Sequence, residues 1–162
     1  MIIRNNKYLR KILFPASVIL LAAFLTGCGG GKKEVKVDVN ALASELNGCV
    51  TSDTLTQTAA EMIPTIYYLS ADEAVSACAY MSAGSTACEV AVIESKDEDS
   101  AKKITEQFKQ RVSSQSELYA SYNPGEVEKL DQAVISSAGK YAVLAVTDDA
   151  KKAKEIINKA GF

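Results

Sequence analysis

The sequence predicts an α+β fold: an antiparallel four-stranded sheet made from two strand-strand-helix units, with helices on one face, plus an N-terminal helix. Three observations carry this. Two pairs of short apolar runs are each joined by a glycine-containing turn, at Ala83-Gly84-Ser85 and at Ser137-Ala138-Gly139-Lys140. An acidic cluster and a helical segment follow each pair, and both segments open on the same triplet, Ala101-Lys102-Lys103 and Ala150-Lys151-Lys152. The apolar run Val90 to Ile93 also matches the run around Val143. A divergent duplication and two similar solutions of one packing problem give the same pattern.

Along the chain, Asp38 or Asn40 caps a first helix whose Val39, Leu42, Ala43 and Leu46 share one face, stopped near Gly48. The stretch Thr51 to Thr58 is polar and rich in capping residues. A short helical segment around Ala59-Ala60-Glu61-Met62-Ile63 is limited by Pro64, and the aromatic run Ile66-Tyr67-Tyr68-Leu69 follows. In the first hairpin Val75, Ala77, Ala79 and Met81 form the apolar set of one strand, and Cys88, Val90 and Val92 that of the other. Pairing these sets places Cys78 and Cys88 on opposite faces, which argues against a disulfide between them and leaves Cys49, Cys78 and Cys88 as free or buried thiols.

A long helix starts at Asp97-Glu98-Asp99, where acids suit the helix dipole, and carries Ala101, Ile104, Phe108 and Val112 as a core stripe to about Tyr119. Tyr122-Asn123-Pro124-Gly125 breaks it, and a short helix covers Glu126 to Asp131. Strands at Ala133-Val134-Ile135 and Tyr141 to Val146 form the second hairpin. Asp148-Asp149 then caps a last helix with Ala150, Ala153, Ile156, Ile157 and Ala160 inward.

Ahead of this domain the order of residues reads as an export leader. Arg4, Lys7, Arg10 and Lys11 precede an apolar run from Ile12 to Leu25, which spans roughly 21 Å as a helix against the ~30 Å of a bilayer core. The run ends in Leu25-Thr26-Gly27-Cys28, the pattern of a lipoprotein processing motif in which cleavage falls between Gly27 and Cys28 and the Cys28 thiol is lipidated, with palmitate-like chains as the anchor. Residues 1–27 are thus expected as signal peptide, 28–37 as a flexible tether rich in glycine and charge, and 38–162 as one extracytoplasmic domain. Without the four basic residues of the leader the chain keeps 14 Lys and Arg against 20 Asp and Glu, a net charge of −6 that argues against nucleic acid as a partner.

The sequence holds no histidine, which removes Ser-His and Cys-His nucleophile pairs and the commonest metal ligand. No phosphate-cradling glycine loop, zinc spacing or calcium ladder is present, so no metal or cofactor is expected. Carboxylate-only chemistry of the glycosidase kind is the remaining catalytic route. Its candidates are Asp97, Asp99, Asp148 and Asp149, all placed where a helix begins and so equally suited to capping. Glu89 is the one acid inside an apolar strand, and Arg111 is the one arginine after the leader. Together they make either a structural ion pair or a site for a polar ligand. Tyr67, Tyr68, Tyr80, Tyr119, Tyr122 and Tyr141 offer either a sugar- or protein-binding surface or amphipathic core edges.

The run Ser82-Ala83-Gly84-Ser85-Thr86-Ala87-Cys88-Glu89-Val90-Ala91-Val92-Ile93 with Lys96-Asp97 resembles the signature hairpin of an uncharacterised family of small Gram-positive bacterial lipoproteins carrying a domain of unknown function. The likeness continues through Arg111, Gln115, Tyr122-Asn123-Pro124, Glu126, Leu130, Ala133-Val134 and Gly139-Lys140-Tyr141, over nearly the whole domain. Cys88 departs from it, standing where the family more often has an acid. The resemblance implies a lipoprotein location and no established activity.

The expected protein is therefore a binding or protein-interaction module, not an enzyme. Lipid on Cys28 would anchor it at the extracytoplasmic side of the cell membrane, where its partner is an envelope protein or a cell-wall component. An exported hydrolase using carboxylates alone is the alternative.

Overall fold

The computed structural model describes residues 35–70 and 72–162. The leader, the Leu25-Thr26-Gly27-Cys28 motif and most of the tether lie outside the described residues. No helix among the described residues is long and apolar enough to cross a membrane.

Helix α1 (Val39–Asn47) begins at Asp38, whose carboxylate accepts from the backbone N–H groups of Asn40 and Ala41, and ends at Gly48. Strand β1 (Thr56–Gln57) and helix α2 (Ile63–Ile66) follow, the latter entered through a 3-10 turn at Ala60–Met62. Pro64 sits in the first turn of α2 and so begins the helix that it was expected to end, because an N-terminal turn needs no N–H from it. Strands β2 (Ala74–Met81) and β3 (Glu89–Ser95) make the first hairpin, and helix α3 (Glu98–Tyr122) is capped by Asp97. After a 3-10 turn at Pro124–Glu126 come α4 (Val127–Asp131), β4 (Val134–Ala138), β5 (Tyr141–Val146) and α5 (Ala150–Lys159), which is capped by Asp149.

The sheet is antiparallel, with order β1-β2-β3-β5-β4. It therefore has five strands and not four. The extra strand, β1, pairs Thr56 with Met81 and Gln57 with Tyr80, and both of its residues are exposed. Two polar residues give no alternating apolar signal, so only the edge offered by β2 makes them a strand.

The helices cover both faces and not one. Val90, Val92, Val143 and Ala145 pack beneath α1 and α5, while Ala91, Ile93, Ala142 and Leu144 pack against α3 and α2. The run Tyr141 to Val146 is buried throughout, as a strand sandwiched between two layers must be. Unbroken apolarity, not alternation, is the signature of such strands. Because α3 and α5 lie on opposite faces, the two strand-strand-helix units are not superposable copies about the local twofold that would relate the antiparallel neighbours β3 and β5.

The hairpin register also differs from the expected one. Ala77 pairs with Ile93, Ala79 with Ala91 and Met81 with Glu89, so Cys78 pairs with Val92 and shares a face with Cys88. The two cysteines stay apart because Cys88 lies opposite Ser82, four residues or about 13 Å along the strand from Cys78. Cys49, Cys78 and Cys88 are all buried free thiols.

Candidate functional site

Glu89 opens β3 and, by parity with Ala91 and Ile93, points toward α3. That helix brings a stripe to it at spacings of three and four: Ile104, Phe108, Arg111, Gln115, Tyr119 and Tyr122. The N-terminal part of the stripe is core, and from Arg111 onward it turns polar and aromatic. This change marks the site, and the expected stripe through Val112 runs past it.

Arg111 donates from Nε to both Glu89 oxygens, at 2.6 Å and 2.9 Å, and the Tyr67 hydroxyl donates to Glu89 Oε1 at 2.6 Å. Glu89 is only 6 % exposed, so the pair is structural in one sense, fixing α3 on the sheet. Burial pushes the Tyr67 hydroxyl well above its ordinary range, and the Glu89 charge adds to this, which favours the protonated form that donates to Glu89. For Arg111, burial alone favours the neutral form, but the Glu89 carboxylate outweighs it and holds the guanidinium charged. The ring of Tyr67 meets Phe108 edge-on at 5.1 Å, and the guanidinium carbon of Arg111 lies 5.4 Å from the Tyr67 centroid.

All hydrogen bonds that Arg111 makes to described residues run through Nε. Its two terminal amines are left without an acceptor among the described residues. Arg111 lines a cavity of about 190 Å³ between the β2–β3 turn and the second half of α3, with Gln115, Leu118 and Tyr122 on the helix side. Leu118 and Tyr122 are 53 % and 55 % exposed, so the groove has an apolar and aromatic lip open to solvent.

The opposite wall is a rigid turn. Asp53 accepts from the hydroxyls of Ser82 at 2.6 Å, Thr86 at 2.8 Å and Ser85 at 3.0 Å, and these bonds pull its carboxyl down to about 2. The Tyr119 hydroxyl donates to the Thr86 carbonyl, and the Ala87 N–H donates to Glu126 at 2.9 Å. We expect Asp53→Asn to leave the fold intact but to speed hydrogen exchange at the Gly84 and Thr86 amides several-fold, since both donate to the Ser82 hydroxyl that Asp53 holds. Unchanged exchange at these two amides would show that the turn does not need Asp53.

A second polar cluster lies at the β5–α5 junction. Asp148 accepts from the Thr51 N–H at 2.6 Å, the Ser52 N–H and Ser52 hydroxyl at 2.8 Å each, and Lys129 Nζ at 2.8 Å. Burial alone would raise its carboxyl, but Lys129 and these donors outweigh it and hold the group far below the usual range. Lys129 also reaches Glu126 at 3.1 Å and the Ser52 hydroxyl at 2.9 Å, and its acidic partners keep it protonated despite burial. A charged lysine cannot serve Ser52 as a base, so the Ser52–Lys129 contact is a latch and not a nucleophile dyad.

The other sequence candidates separate by role. Asp97 and Asp149 are helix caps, accepting from the N–H groups of Ser100 and Lys152, and Asp99 pairs with Lys102 at 3.4 Å. Asp148, expected as a cap, instead ties the chain near Cys49 to α4. Tyr67, Tyr119 and Tyr141 are buried, Tyr80 is half-buried, and Tyr68 and Tyr122 are exposed. Among the described residues no three Cys, Asp or Glu side chains gather as a metal site.

The turn, the pair Glu89–Arg111 and the Tyr122-Asn123-Pro124 break all fall in one matched segment. The chain belongs to the family described as Domain of unknown function (DUF4358), matched over residues 49–147. The segment runs from just after α1 to just before α5, so the family domain is the sheet with α2, α3 and α4, and both helices of the other face flank it. No curated protein and no solved structure matches the chain.

Proposed function

We propose that this DUF4358 protein is a lipid-anchored extracytoplasmic binding module and that the groove over Arg111 is its binding surface. The observation that carries the reading is the pair of Arg111 amines with no acceptor among the described residues, held by Glu89 beside an exposed aromatic lip. Donors left unsatisfied at a concave surface recruit an acceptor from outside, and a carbonyl, hydroxyl or carboxylate of an envelope protein or cell-wall component supplies one. Because Arg111 is already neutralised by Glu89, the groove reads hydrogen-bonding shape more than charge.

The anchor rests on the leader and on Leu25-Thr26-Gly27-Cys28. Two or three acyl chains at ~0.8 kcal/mol per methylene hold such a domain stably on a bilayer. On this reading the domain stands at the outer side of the cell membrane, in an envelope of the Gram-positive kind that the family resemblance implies. The hydrolase alternative needs an acid and a second carboxylate free on either side of a bond. The groove offers Glu89 alone, with both oxygens engaged, which favours binding.

The test uses the lipidated chain in detergent micelles, titrated with soluble muropeptides and with short peptides while the Arg111 Nε–H signal is followed by NMR. We expect saturable shifts at Arg111 that weaken about tenfold in Tyr122→Ala/Leu118→Asp, a loss on the scale of one or two contact residues. Shifts that ignore this double variant, or none at all, overturn the groove. Mass spectrometry of the chain from its host, showing unmodified Cys28, overturns the anchor.

A further inference from the structure

We infer that the free edge of β4 is a strand-addition site for an extended acidic segment of a partner protein. The hydrogen-bond phase of the sheet fixes which groups that edge offers. The Ser95 N–H donates to the Lys140 carbonyl, so the even residues of β5 address β3 and the odd ones address β4. Tyr141, Val143 and Ala145 therefore bond Ala138, Ser136 and Val134, their registered partners. Gly139 at φ 53° closes this ladder as the first residue of a two-residue loop. The N–H and C=O groups of Ile135 and Ser137 consequently point away from the sheet, and no bond from described residues reaches them.

Exposed edges are normally blunted by a charge, a proline, a bulge or a covering segment. The opposite side of the sheet shows this: β1 covers the Met81 end of β2, and the register slips between Ala74 and Ser76. Val134-Ile135-Ser136-Ser137-Ala138 has none of these devices. It is uncharged, regular and partly exposed along its length.

The occupant follows from the charge beside this edge. A shallow concavity of about 520 Å³ adjoins the start of β4, floored by Ala133, Val134 and Ile135. Its rim carries Lys151 and Lys154, both exposed and without an acidic partner among the described residues, against the single acid Asp131. Two exposed lysines beside open backbone groups suit a strand that ends in carboxylates. A second copy of the chain would instead bring the lysine-bearing α5 helices together. This surface is separate from the Arg111 groove, and the inference stands without it.

The probe is a seven-residue peptide alternating valine and threonine between terminal aspartates, with a lysine-ended peptide as control, each added to the full chain. We expect the acidic peptide to slow amide exchange at Ile135 and Ser137 by about tenfold at saturation and to bind at least about fivefold tighter than the control. Ser137→Pro, which removes an outward N–H, should abolish the protection. Lys151→Glu/Lys154→Glu alters only exposed helix positions and should reverse the preference between the peptides. Equal binding of the two, or no protection at Ile135 and Ser137, overturns the inference. So does protection that grows with protein concentration alone, which would assign the edge to a second copy.

Discussion

Glu89→Leu is expected to lower the unfolding free energy by about 3 kcal/mol, at the lower end of the range for breaking a buried ion pair. The residue is 6 % exposed and satisfies two donors, the Arg111 Nε–H and the Tyr67 hydroxyl. Removing it leaves a guanidinium and a phenol without their acceptor between α3 and the sheet. The loss stays near the lower bound because the Arg111 side chain retains 17 % exposure and can be partly rehydrated.

The decisive comparison is Glu89→Leu/Arg111→Met, where both charges leave together and apolar groups of similar size replace them. Most of the loss should be recovered, leaving about 1 kcal/mol for the unpaired Tyr67 hydroxyl, and adding Tyr67→Phe should recover that as well. Urea unfolding of five proteins measures this: the wild type, Glu89→Leu, Arg111→Met, the double variant and the triple variant. Strict additivity of the two single substitutions would show that the pair is not coupled, and α3 would then be held by its apolar contacts alone.

Asp148→Asn should cost about 3 kcal/mol, since it weakens four charge-assisted hydrogen bonds at once, each worth about 1.5–3 kcal/mol and together less than additive. Although the backbone here is exposed, the Asp148 side chain is only 17 % exposed, so solvent does not screen the interaction away. The sign of its pH dependence follows from the direction of its shift. The folded-state carboxyl lies far below its ordinary value of about 3.9, so the stabilisation is fully present above that value and is lost as pH falls toward the depressed folded value. Wild type and Asp148→Asn should therefore differ most at neutral pH and converge below about pH 4. Chemical unfolding at a series of pH values tests this, and a gap that persists undiminished to pH 2 would exclude the carboxylate as its source.

Much of the fold can be read from residues whose roles are local. Asp38, Asp97 and Asp149 cap their helices by hydrogen bonds within three residues, and Gly139 turns its hairpin through its own φ. The site was legible only in part. Glu89 and Arg111 stood out as the acid in an apolar strand and the only arginine of the domain, and the structure joins them. Tyr67, the third member, was visible only as one of six tyrosines suited to a surface or a core edge, and Asp53, the hub of the turn, was not singled out, because its partners Ser82, Ser85 and Thr86 lie on a distant turn. The polar continuation of the α3 stripe through Arg111, Gln115 and Tyr122 was the available clue.

By itself the sequence determined the starts of α1, α3 and α5, the two hairpins and the lack of histidine, since each depends on neighbouring residues or on composition. Tertiary structure decided the fifth strand, the placement of helices on both faces, the hairpin register and the conversion of Asp148 from expected cap to anchor. The reason is common to all four. A strand buried on both sides has no apolar and polar face to set its register, and an edge or a charge finds its partner only after distant segments meet.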